Sequence, residues 1–330
     1  MERIQLSNAA FEGDNNAYLF ADGPETVLID TGDWLEGTKS QLRQELQALG
    51  TEFSDVDRIF LTHWHGDHIG LASLIQDESD ATVYVHQADA PLVAGDEDAW
   101  EAMHELQERY FEEWGIPPEK QEVLFEIMST PPYLENPPEV TPIEDGDSFS
   151  VNGKELTAVH APGHAAGLCL YEMEIDGNDD VFTGDALLPQ YTPNVGGADI
   201  RVERALAKYL QTLRSIAEAG YTRAWPGHRD PIDDPKARAE FIIHHHEERS
   251  WRVLDALDRL GPCNAWTISA DLFGELESIH ILHGPGESVA HLEHLMAEGL
   301  VERDGNEYDL TAAGVDQFGT LDEERWPLIE

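Results

Sequence analysis

Seven side chains of the types that bind metal ions lie in four short turns of this sequence, each after a short apolar segment. In FLTHWHGDHIG, the residues His63, His65, Asp67 and His68 come directly after the apolar segment DRIFLT. At the end of an extended strand, residues two apart project to the same side, so the imidazoles of His63 and His65 can converge. The other three are His164 in APGHAAG, Asp185 in FTGDALL and His228 in AWPGHRD. Gly and Pro around these three permit tight turns at strand ends. The sequence therefore predicts a metal site built from turns that follow strands.

Imidazole and carboxylate groups bind Zn²⁺ and other first-row divalent ions, and catalytic zinc sites keep one position for water. The alternative for the first group is a surface cluster of histidines around one acidic residue. Ligand-type residues recur in three further turns, which argues against that alternative. No G-x-S-x-G elbow and no Walker A loop occurs, which disfavours a serine-nucleophile hydrolase and a P-loop nucleotide site.

Predicted strands and helices alternate through the first half of the chain. Strands are expected at NAYLFADG, TVLIDTG, DRIFLT and ATVYVH, and helices at TKSQLRQELQALG and residues 69–75. Residues 87–140 become helical and aromatic and end in Pro-rich turns (STPPYLENPPEVTP), which indicates an inserted helical cap. Its aromatic residues either form the cap's own core or cover a substrate as a lid. Strands return in GDSFSVNGKELTAVHAPG, LCLYEMEI and DVFTGD, followed by helix ERALAKYLQTLRSIAEAG and strand TRAWPGH.

The C-terminal segment has a different pattern. Residues 236–250 are expected to form a connecting helix. After it come helix WRVLDALDRLG, short helix AWTISADLFG, helix GESVAHLEHLMAEGLV and a two-stranded end, ERDGNEYDLT. That order is expected of a winged-helix module. We therefore predict a main domain over residues 1–245, with the cap at about 87–140, and a winged-helix-like domain over residues 246–330.

The set of motifs HWHGDH, PGH, TGD and PGH resembles the metallo-β-lactamase superfamily over residues 1–245. The resemblance implies an α+β fold, a four-layered αββα sandwich with a dinuclear metal site along one sheet edge. It implies that His63, His65 and His164 hold one ion. Asp67, His68 and His228 would then hold the other, with Asp185 bridging the two.

An aspartate at the bridging position makes the chain resemble the glyoxalase II and lactonase branches more than the lactamases that name the superfamily. The winged-helix-like tail and the segment TPNVGG after Asp185 are similar to the subgroup of LACTB2-like hydrolases and endoribonucleases. The cofactors expected from this resemblance are two divalent metal ions, Zn²⁺ in the first place, with Mn or Fe as alternatives.

Two such ions lower the pKa of a shared water toward about 7, and this hydroxide is the predicted nucleophile. Asp67 is the predicted catalytic residue, which orients the water and passes its proton to the leaving group. The expected substrate is a small thioester, ester or lactone, as in hydroxyacylglutathione hydrolases, although no basic residues for glutathione are recognisable. The alternative is a metal-dependent endoribonuclease or phosphodiesterase of the LACTB2 type.

Three further residues are candidates for substrate binding: Tyr191 as a hydrogen-bond donor, and His245 with Arg249, one helical turn apart, at the substrate mouth. A structural tyrosine and a solvated or interdomain helix face are the alternatives. His244, His245 and His246 cannot converge on one ion, because consecutive helical residues point about 100° apart. Structural roles are expected for the remaining histidines that we considered, His86, His104, His280, His283, His291 and His294.

The charge is unusual, with 66 Asp and Glu against 20 Lys and Arg, a net charge of −46. We interpret it as adaptation to a salt-rich cytoplasm, since at molar salt the Debye length falls to about 3 Å and self-repulsion is screened. No basic patch is visible, which disfavours nucleic acid as a partner without excluding it. Two cysteines provide no disulfide framework. The N-terminal segment lacks a secretory signal and no membrane span is visible, so we expect a cytoplasmic protein with a small-molecule substrate. A homodimer stays open.

Overall fold

The structure of the protein, a computed structural model, describes residues 1–8, 13–127 and 135–319. Its first sheet consists of β1 (Glu2–Leu6), β2 (Asn15–Phe20), β3 (Val27–Ile29), β4 (Arg58–Phe60), β5 (Thr82–His86) and β6 (Val140–Ile143). These six strands lie side by side in chain order. The pairs β1–β2 and β2–β3 are antiparallel, whereas β3, β4, β5 and β6 run parallel to one another.

The second sheet consists of β7 (Ser148–Val151), β8 (Lys154–His160), β9 (Cys169–Ile175), β10 (Asn178–Gly184) and β11 (Arg223–Pro226). Its strand order is β11-β10-β9-β8-β7. Antiparallel pairs join β7 to β10, whereas β10 and β11 are parallel. Parallel neighbours need a crossover, which helix α7 (Ala205–Ala219) supplies here.

Helices cover the outer face of each sheet. Leu42 and Leu46 of α1 (Glu36–Ala48) and Ile75 of α3 (Ala72–Ser79) pack on the first sheet, next to the 3₁₀ turn Phe53–Asp55. On the second sheet lie α7 and α8 (Pro235–Leu260). Between the sheets lies an aromatic core that includes Tyr18 and Phe182, whose ring centroids are 4.9 Å apart. The predicted αββα sandwich is confirmed.

The cap lies between two neighbouring strands, β5 and β6, as an insertion in the first sheet. It contains α4 (Ala90–Val93), α5 (Glu97–Glu113) and α6 (Pro118–Ile127). The predicted Pro-rich turns fall partly on residues 128–134, outside the described residues, and β6 begins at Val140 inside the predicted run of turns.

The C-terminal segment contains α9 (Ala265–Phe273), α10 (His280–Ala297), β12 (Val301–Asp304), β13 (Glu307–Leu310) and α11 (Ala312–Gly319). The pair β12 and β13 is the predicted two-stranded end, and α11 follows it. The cap and the tail share one core, in which Phe111 and Trp114 of α5 pack with Leu254 of α8 and Leu292 of α10. The aromatic residues of the cap are thus packed largely against the tail.

Two boundaries differ from the sequence-based expectation. The predicted connecting helix 236–250 and the predicted helix that starts at Trp251 are one continuous helix, α8, so that separation is wrong. Helix α10 begins at His280 and continues through Gly284 and Pro285, although the predicted helix starts only at Gly286. Tertiary packing overrides the local preference, because Gly284 and Gly286 let neighbouring segments approach the helix closely.

Five strands bring the metal-type side chains to one edge. Strands β3 and β4 are parallel in the first sheet, and β8, β10 and β11 share one direction in the second. A backbone bond from Asn16 to Gly227 (2.7 Å) joins the two sheets where these strands meet. Short helix α2 (Gly66–Ile69) lies at the same edge. Within the described residues, no helix is both long and apolar enough for a membrane span.

Candidate metal centre

Three imidazole nitrogens meet at the end of β4 and in the turn after β8. Nδ1 of His65 lies 2.9 Å from Nε2 of His63 and 3.1 Å from Nε2 of His164. Two ligands at about 2.0–2.1 Å from one tetrahedral ion are themselves roughly 3.3 Å apart. The spacing of these three nitrogens therefore fits ligands of a single ion.

The second set lies beside the first. Nε2 of His228 is 3.4 Å from Oδ2 of Asp67, and Nε2 of His68 is 3.9 Å from the same oxygen. The carboxylate of Asp185 is 3.5 Å from His68, 3.5 Å from His228 and 3.7 Å from His164. Asp185 thus touches members of both sets, which is the position that a bridging ligand requires.

Three buried atoms of this centre have no hydrogen-bond partner: Nε2 of His68, Nε2 of His228 and Oδ1 of Asp185. Buried polar atoms in folded proteins are nearly always paired, so an unpaired group calls for an explanation. A cation between these atoms satisfies all three at once. The donor set, nitrogens with carboxylate oxygens, fits Zn²⁺ and related first-row ions.

Hydrogen bonds orient each of the five imidazoles through the ring nitrogen that faces away from the centre. The donating nitrogens and their acceptors are Nδ1 of His63 with Oγ1 of Thr62 (3.0 Å), Nε2 of His65 with the carbonyl of Ala198 (3.0 Å), Nδ1 of His68 with Oδ2 of Asp30 (2.8 Å), Nδ1 of His164 with the carbonyl of Asn194 (2.9 Å) and Nδ1 of His228 with the carbonyl of Gly13 (2.9 Å). A neutral imidazole that donates there presents a lone pair to the centre, as metal ligation requires.

Asp30 supports ligands of both sets, and the sequence analysis missed it. Its carboxylate accepts hydrogen bonds from the Thr62 amide (2.8 Å), the Thr62 hydroxyl (2.8 Å) and His68. The Thr62 hydroxyl donates to Asp30 and so must accept from His63. Asp30 itself has a φ of 57°, which is uncommon for a non-glycine residue. The signal in the sequence was an acidic residue at the end of the strand TVLIDTG, directly before the histidine-bearing strand in the sheet.

Gly227 explains why the last motif is PGH. A Cβ at this position would lie 2.4 Å from Oδ1 of Asp185 and 2.6 Å from Cε1 of His68. Neither group can move away without leaving the centre. Glycine is therefore the residue that lets the turn after β11 bring His228 this close to Asp185.

The two sets differ in protonation. Burial is the main cause that lowers the pKa values of His63 and His164 and brings the pKa of His65 to about 4. Burial acts in the same direction on His68 and His228, yet the nearby carboxylates, Asp185 foremost, raise the pKa of His68 and bring that of His228 to about 10. The first set is thus neutral and ready for an ion, whereas an ion at the second set must displace protons.

The carboxylates of the second set respond in the opposite sense. Burial by itself raises the pKa values of Asp67 and Asp185, but the adjacent imidazoles outweigh it and hold both pKa values below the ordinary range. Both carboxylates are therefore ionised at neutral pH and available as ligands.

A buried ion network ties two ligand-bearing turns together. Arg201 bonds to Asp89 (2.7 Å) and Asp199 (2.6 Å), whose side chains are fully buried. The two carboxylates accept from the backbone and indole of Trp64, between His63 and His65. They also accept from the amides of residues 166 and 167, which follow His164. Burial brings the pKa of Asp89 to about 6 despite Arg201.

A cavity of about 230 Å³ opens onto the centre at His65, Asp67, His164 and Asp185. Its other walls come from Trp64, from the segment 194–200, from Met103 and Gln107 of α5, from Leu282 and His283 of α10, and from Ile279 directly before α10. Asn194 and Gly197 belong to the TPNVGG segment that the sequence analysis singled out. Cap residues thus form part of the cavity wall, in addition to packing on the tail.

The predicted substrate contacts lie elsewhere. Tyr191 is 52% exposed, and its ring lies 4.8 Å from the guanidinium of Arg229. Arg249 bonds to Glu287 (2.6 Å) and to His245 (3.0 Å). Among the described residues, those that line the cavity do not include Tyr191, His245 or Arg249. These three contacts stay predictions without support from the geometry.

The histidines outside the ligand sets lie in three kinds of surroundings: the buried core, the exposed surface and the cavity wall. His246 is buried and bonds to His291 (3.2 Å), while His244 is exposed beside Glu248, so the triple histidine does not converge. His283, for which we expect a structural role, lines the cavity, and that role stays a prediction.

Comparison with known proteins agrees with this geometry. The family model described as metallo-beta-lactamase superfamily matches residues 10–228. The metallo-beta-lactamase family protein TTHA1429 from Thermus thermophilus superposes with a TM-score of 0.78 at 31% identity, over 94% of this chain and 98% of that one. The probable metallo-hydrolase YqjP from Bacillus subtilis is 27% identical over 88% of this chain and 90% of its own length.

The beta-lactamase-like protein 2 homolog from Drosophila melanogaster is 25% identical over 72% of this chain. This chain spans 56% to 66% of the length of that protein and two further curated relatives. The family model covers most of the chain and the Thermus protein matches nearly all of it. This chain therefore belongs to the metallo-beta-lactamase superfamily.

Proposed function

We propose that this enzyme is a dinuclear hydrolase of a small thioester, ester or lactone. One observation carries the metal-binding part. Hydrogen bonds on the outer nitrogens leave unprotonated nitrogens of His63, His65 and His164 facing one another at 2.9 to 3.1 Å, an arrangement that repels unless a cation lies between them. Asp185 joins this set to the second.

In the proposed assignment, His63, His65 and His164 hold one ion, Asp67, His68 and His228 hold the other, and Asp185 lies between them. When bound, such a pair activates water at neutral pH and polarises the scissile carbonyl. Zn²⁺ is our first assignment for both positions, with Mn or Fe as alternatives.

Asp67 is the proposed catalytic residue. Its side chain is 27% exposed, whereas that of Asp185 is 6% exposed, so Asp67 is the more open of the two carboxylates that line the cavity. Asn15 donates to its Oδ2 (3.2 Å) and fixes its orientation. Asp67 can therefore orient a water molecule and pass a proton to an alkoxide leaving group, while a thiolate leaves without that help.

The substrate class follows from the cavity. Its walls beyond the centre are largely apolar and enclosed by α5 and α10, which suits a small acyl group better than a nucleic-acid strand. The net charge of −46 also disfavours binding of a phosphodiester, because both are negatively charged. Ribonuclease or phosphodiesterase activity, the alternative from the LACTB2 resemblance, is an outcome that the assay below distinguishes.

We propose the same domain division as the sequence analysis, a hydrolase domain over 1–245 and a winged-helix-like domain over 246–330. Three helical segments followed by the β12–β13 pair support it. The shared core with the cap favours a tail that builds the catalytic cavity.

A substrate panel tests the function: S-lactoylglutathione and other thioesters, acyl-homoserine lactones, bis-p-nitrophenyl phosphate and single-stranded RNA, in molar KCl with Zn²⁺ or Mn²⁺. We expect turnover of a thioester, ester or lactone, and a loss of at least about 100-fold in Asp67→Ala and His228→Ala. His244→Ala, an exposed histidine paired with Glu248, is the matched control and should keep full activity. Turnover confined to RNA or the phosphodiester would reject the proposed substrate class, and full activity in Asp67→Ala would reject its role.

A further inference from the structure

We propose that His283 of α10 contacts the substrate directly, and that α10 and α5 together form a pocket for a short apolar acyl group. The inference rests on the proposed hydrolase function. It assigns substrate recognition to the C-terminal segment, which lies outside the residues matched by the family model.

His283 lines the same cavity as Met103 and Gln107 of the cap. It is half-buried, whereas Leu282 and Gly284 on either side of it are buried. The same cavity contains His65 and His164 of the first set and Asp67 and Asp185 of the second. A ligand in this cavity that reaches the metal centre therefore also reaches His283.

Backbone contact holds this part of α10 against the site. A Cβ on Gly286 would lie 2.4 Å from Cα of Gly197, and a Cβ on Gly197 would lie 2.5 Å from Cα of His283. Such a close approach is open only to glycine. The GPG sequence inside α10 thus serves to bring His283 next to the segment that follows Asp185.

Asn194 links α10 to the first set of ligands. Its side-chain amide donates to the carbonyl of His283 (3.1 Å) and to Glu287 (3.0 Å), and its own carbonyl accepts from Nδ1 of His164 (2.9 Å). Glu287 is paired in turn with Arg249, and both side chains are 11% exposed. His283 is therefore held at a defined distance from His164, as a substrate contact must be.

The chemistry of the walls indicates the ligand. Met103 of α5, Leu282 of α10 and Ile279 directly before α10 supply apolar surface, and Gln107 and His283 are the polar residues of α5 and α10 that line the cavity. Apolar walls with a few placed polar groups are typical of pockets that orient an apolar ligand. At about 230 Å³ the cavity is smaller than the roughly 300–1,000 Å³ of pockets for drug-sized molecules, which favours a short acyl group. An imidazole there can donate to, or accept from, the thioester or ester that the acyl group positions.

The test compares metal-loaded wild type with His283→Leu, His283→Gln and the control His280→Leu, an exposed histidine of the same helix. Straight-chain acyl thioesters of increasing length report kcat and KM. Titration calorimetry of the matching carboxylates reports binding without turnover. We expect His283→Leu to lower kcat/KM at least about tenfold with two metals per chain retained, and partial recovery in His283→Gln, whose amide also hydrogen-bonds. His280→Leu should match wild type.

A second pair of variants tests the pocket. Leu282→Phe and Met103→Phe should shift the preferred acyl length to shorter chains in both turnover and carboxylate binding. Unchanged kcat/KM in His283→Leu, loss of a metal in that variant, or an unmoved length preference in both pocket variants would overturn the inference. If wild type binds the carboxylates in a length-dependent manner and hydrolyses no acyl substrate, the proposed function is wrong and the pocket stands.

Discussion

Replacing Asp30 by Asn should weaken metal binding although Asp30 is not a ligand. The carboxylate accepts three hydrogen bonds, two from Thr62 and one from His68. An amide of the same shape has one acceptor oxygen, so its NH₂ group must face one of these donors. Since His68 depends on Asp30 for its orientation, its lone pair no longer points reliably at the second ion.

The expected loss of metal affinity is the loss that follows when a metal ligand is deprived of its hydrogen-bond partner. Loss of such a partner typically lowers metal affinity about 10- to 100-fold, which corresponds to about 1.4–2.7 kcal/mol. The second ion should be affected most, because His68 touches Asp30 directly and His63 is linked to it through Thr62. Competition with a chromogenic chelator, which separates two successive dissociation steps, measures both affinities.

Asp33→Asn is the matched control. Asp33 is buried near the same strand end and accepts from the amide of Leu35, a bond that the Asn oxygen can keep. We expect wild-type affinities in this variant. If Asp30→Asn also retained both affinities while folding normally, the reasoning that hydrogen bonds on the outer nitrogens organise this centre would be refuted.

Three further predictions concern the turn, the protons and the surface. Gly227→Ala should reduce activity at least about 100-fold and lower the metal content to below two per chain, because its Cβ would meet Asp185 and His68. Gly37→Ala in α1 is the control, because no atom lies within 4 Å of the added Cβ, and it should leave stability unchanged or raise it by up to about 1 kcal/mol. Equal effects of Gly227→Ala and Gly37→Ala on activity and metal content would contradict the steric explanation. Loading the metal-free protein at pH 7.5 should release at least about two protons per chain, since raised pKa values keep His68 and His228 protonated there and ligation requires them neutral. Competition between protons and metal ions weakens as pH rises toward 10. Calorimetry in buffers of different ionisation enthalpy measures the number of protons released. Zero release would show that the imidazoles of the second set are not charged in the metal-free protein. The net charge of −46 predicts a higher melting temperature in molar KCl than in dilute buffer, because screening at about 3 Å removes self-repulsion, and an unchanged melting curve would reject the salt-adaptation hypothesis.

The position of α10 changes how the tail is understood. In the described part of the chain, the proposed winged-helix-like domain has no core of its own apart from the cap, because Leu292 of α10 packs in the same core as Phe111 of the cap. The cap and the tail are therefore coupled through this core, and both line the cavity. This coupling follows from packing that joins residues far apart in the chain.

The seven metal-type residues were accessible from the sequence because their chemistry is local. Each of His63, His164, Asp185 and His228 follows a strand, and parallel strand ends meet at one edge. The αββα arrangement was equally accessible through the resemblance carried by the four motifs. The net charge follows directly from the counts of acidic and basic residues.

Tertiary structure decided which residues hydrogen-bond to the metal ligands and which residues line the cavity. Asp30 and Thr62 are 32 residues apart, His65 and Ala198 are 133 apart, and Asn194 and Glu287 are 93 apart. Periodicity in a sequence shows that a residue is buried, but not which distant segment it is buried against. For that reason His283, which precedes the predicted helix at Gly286, received only a structural role from the sequence. Only the contact between Gly286 and Gly197 placed it at the cavity.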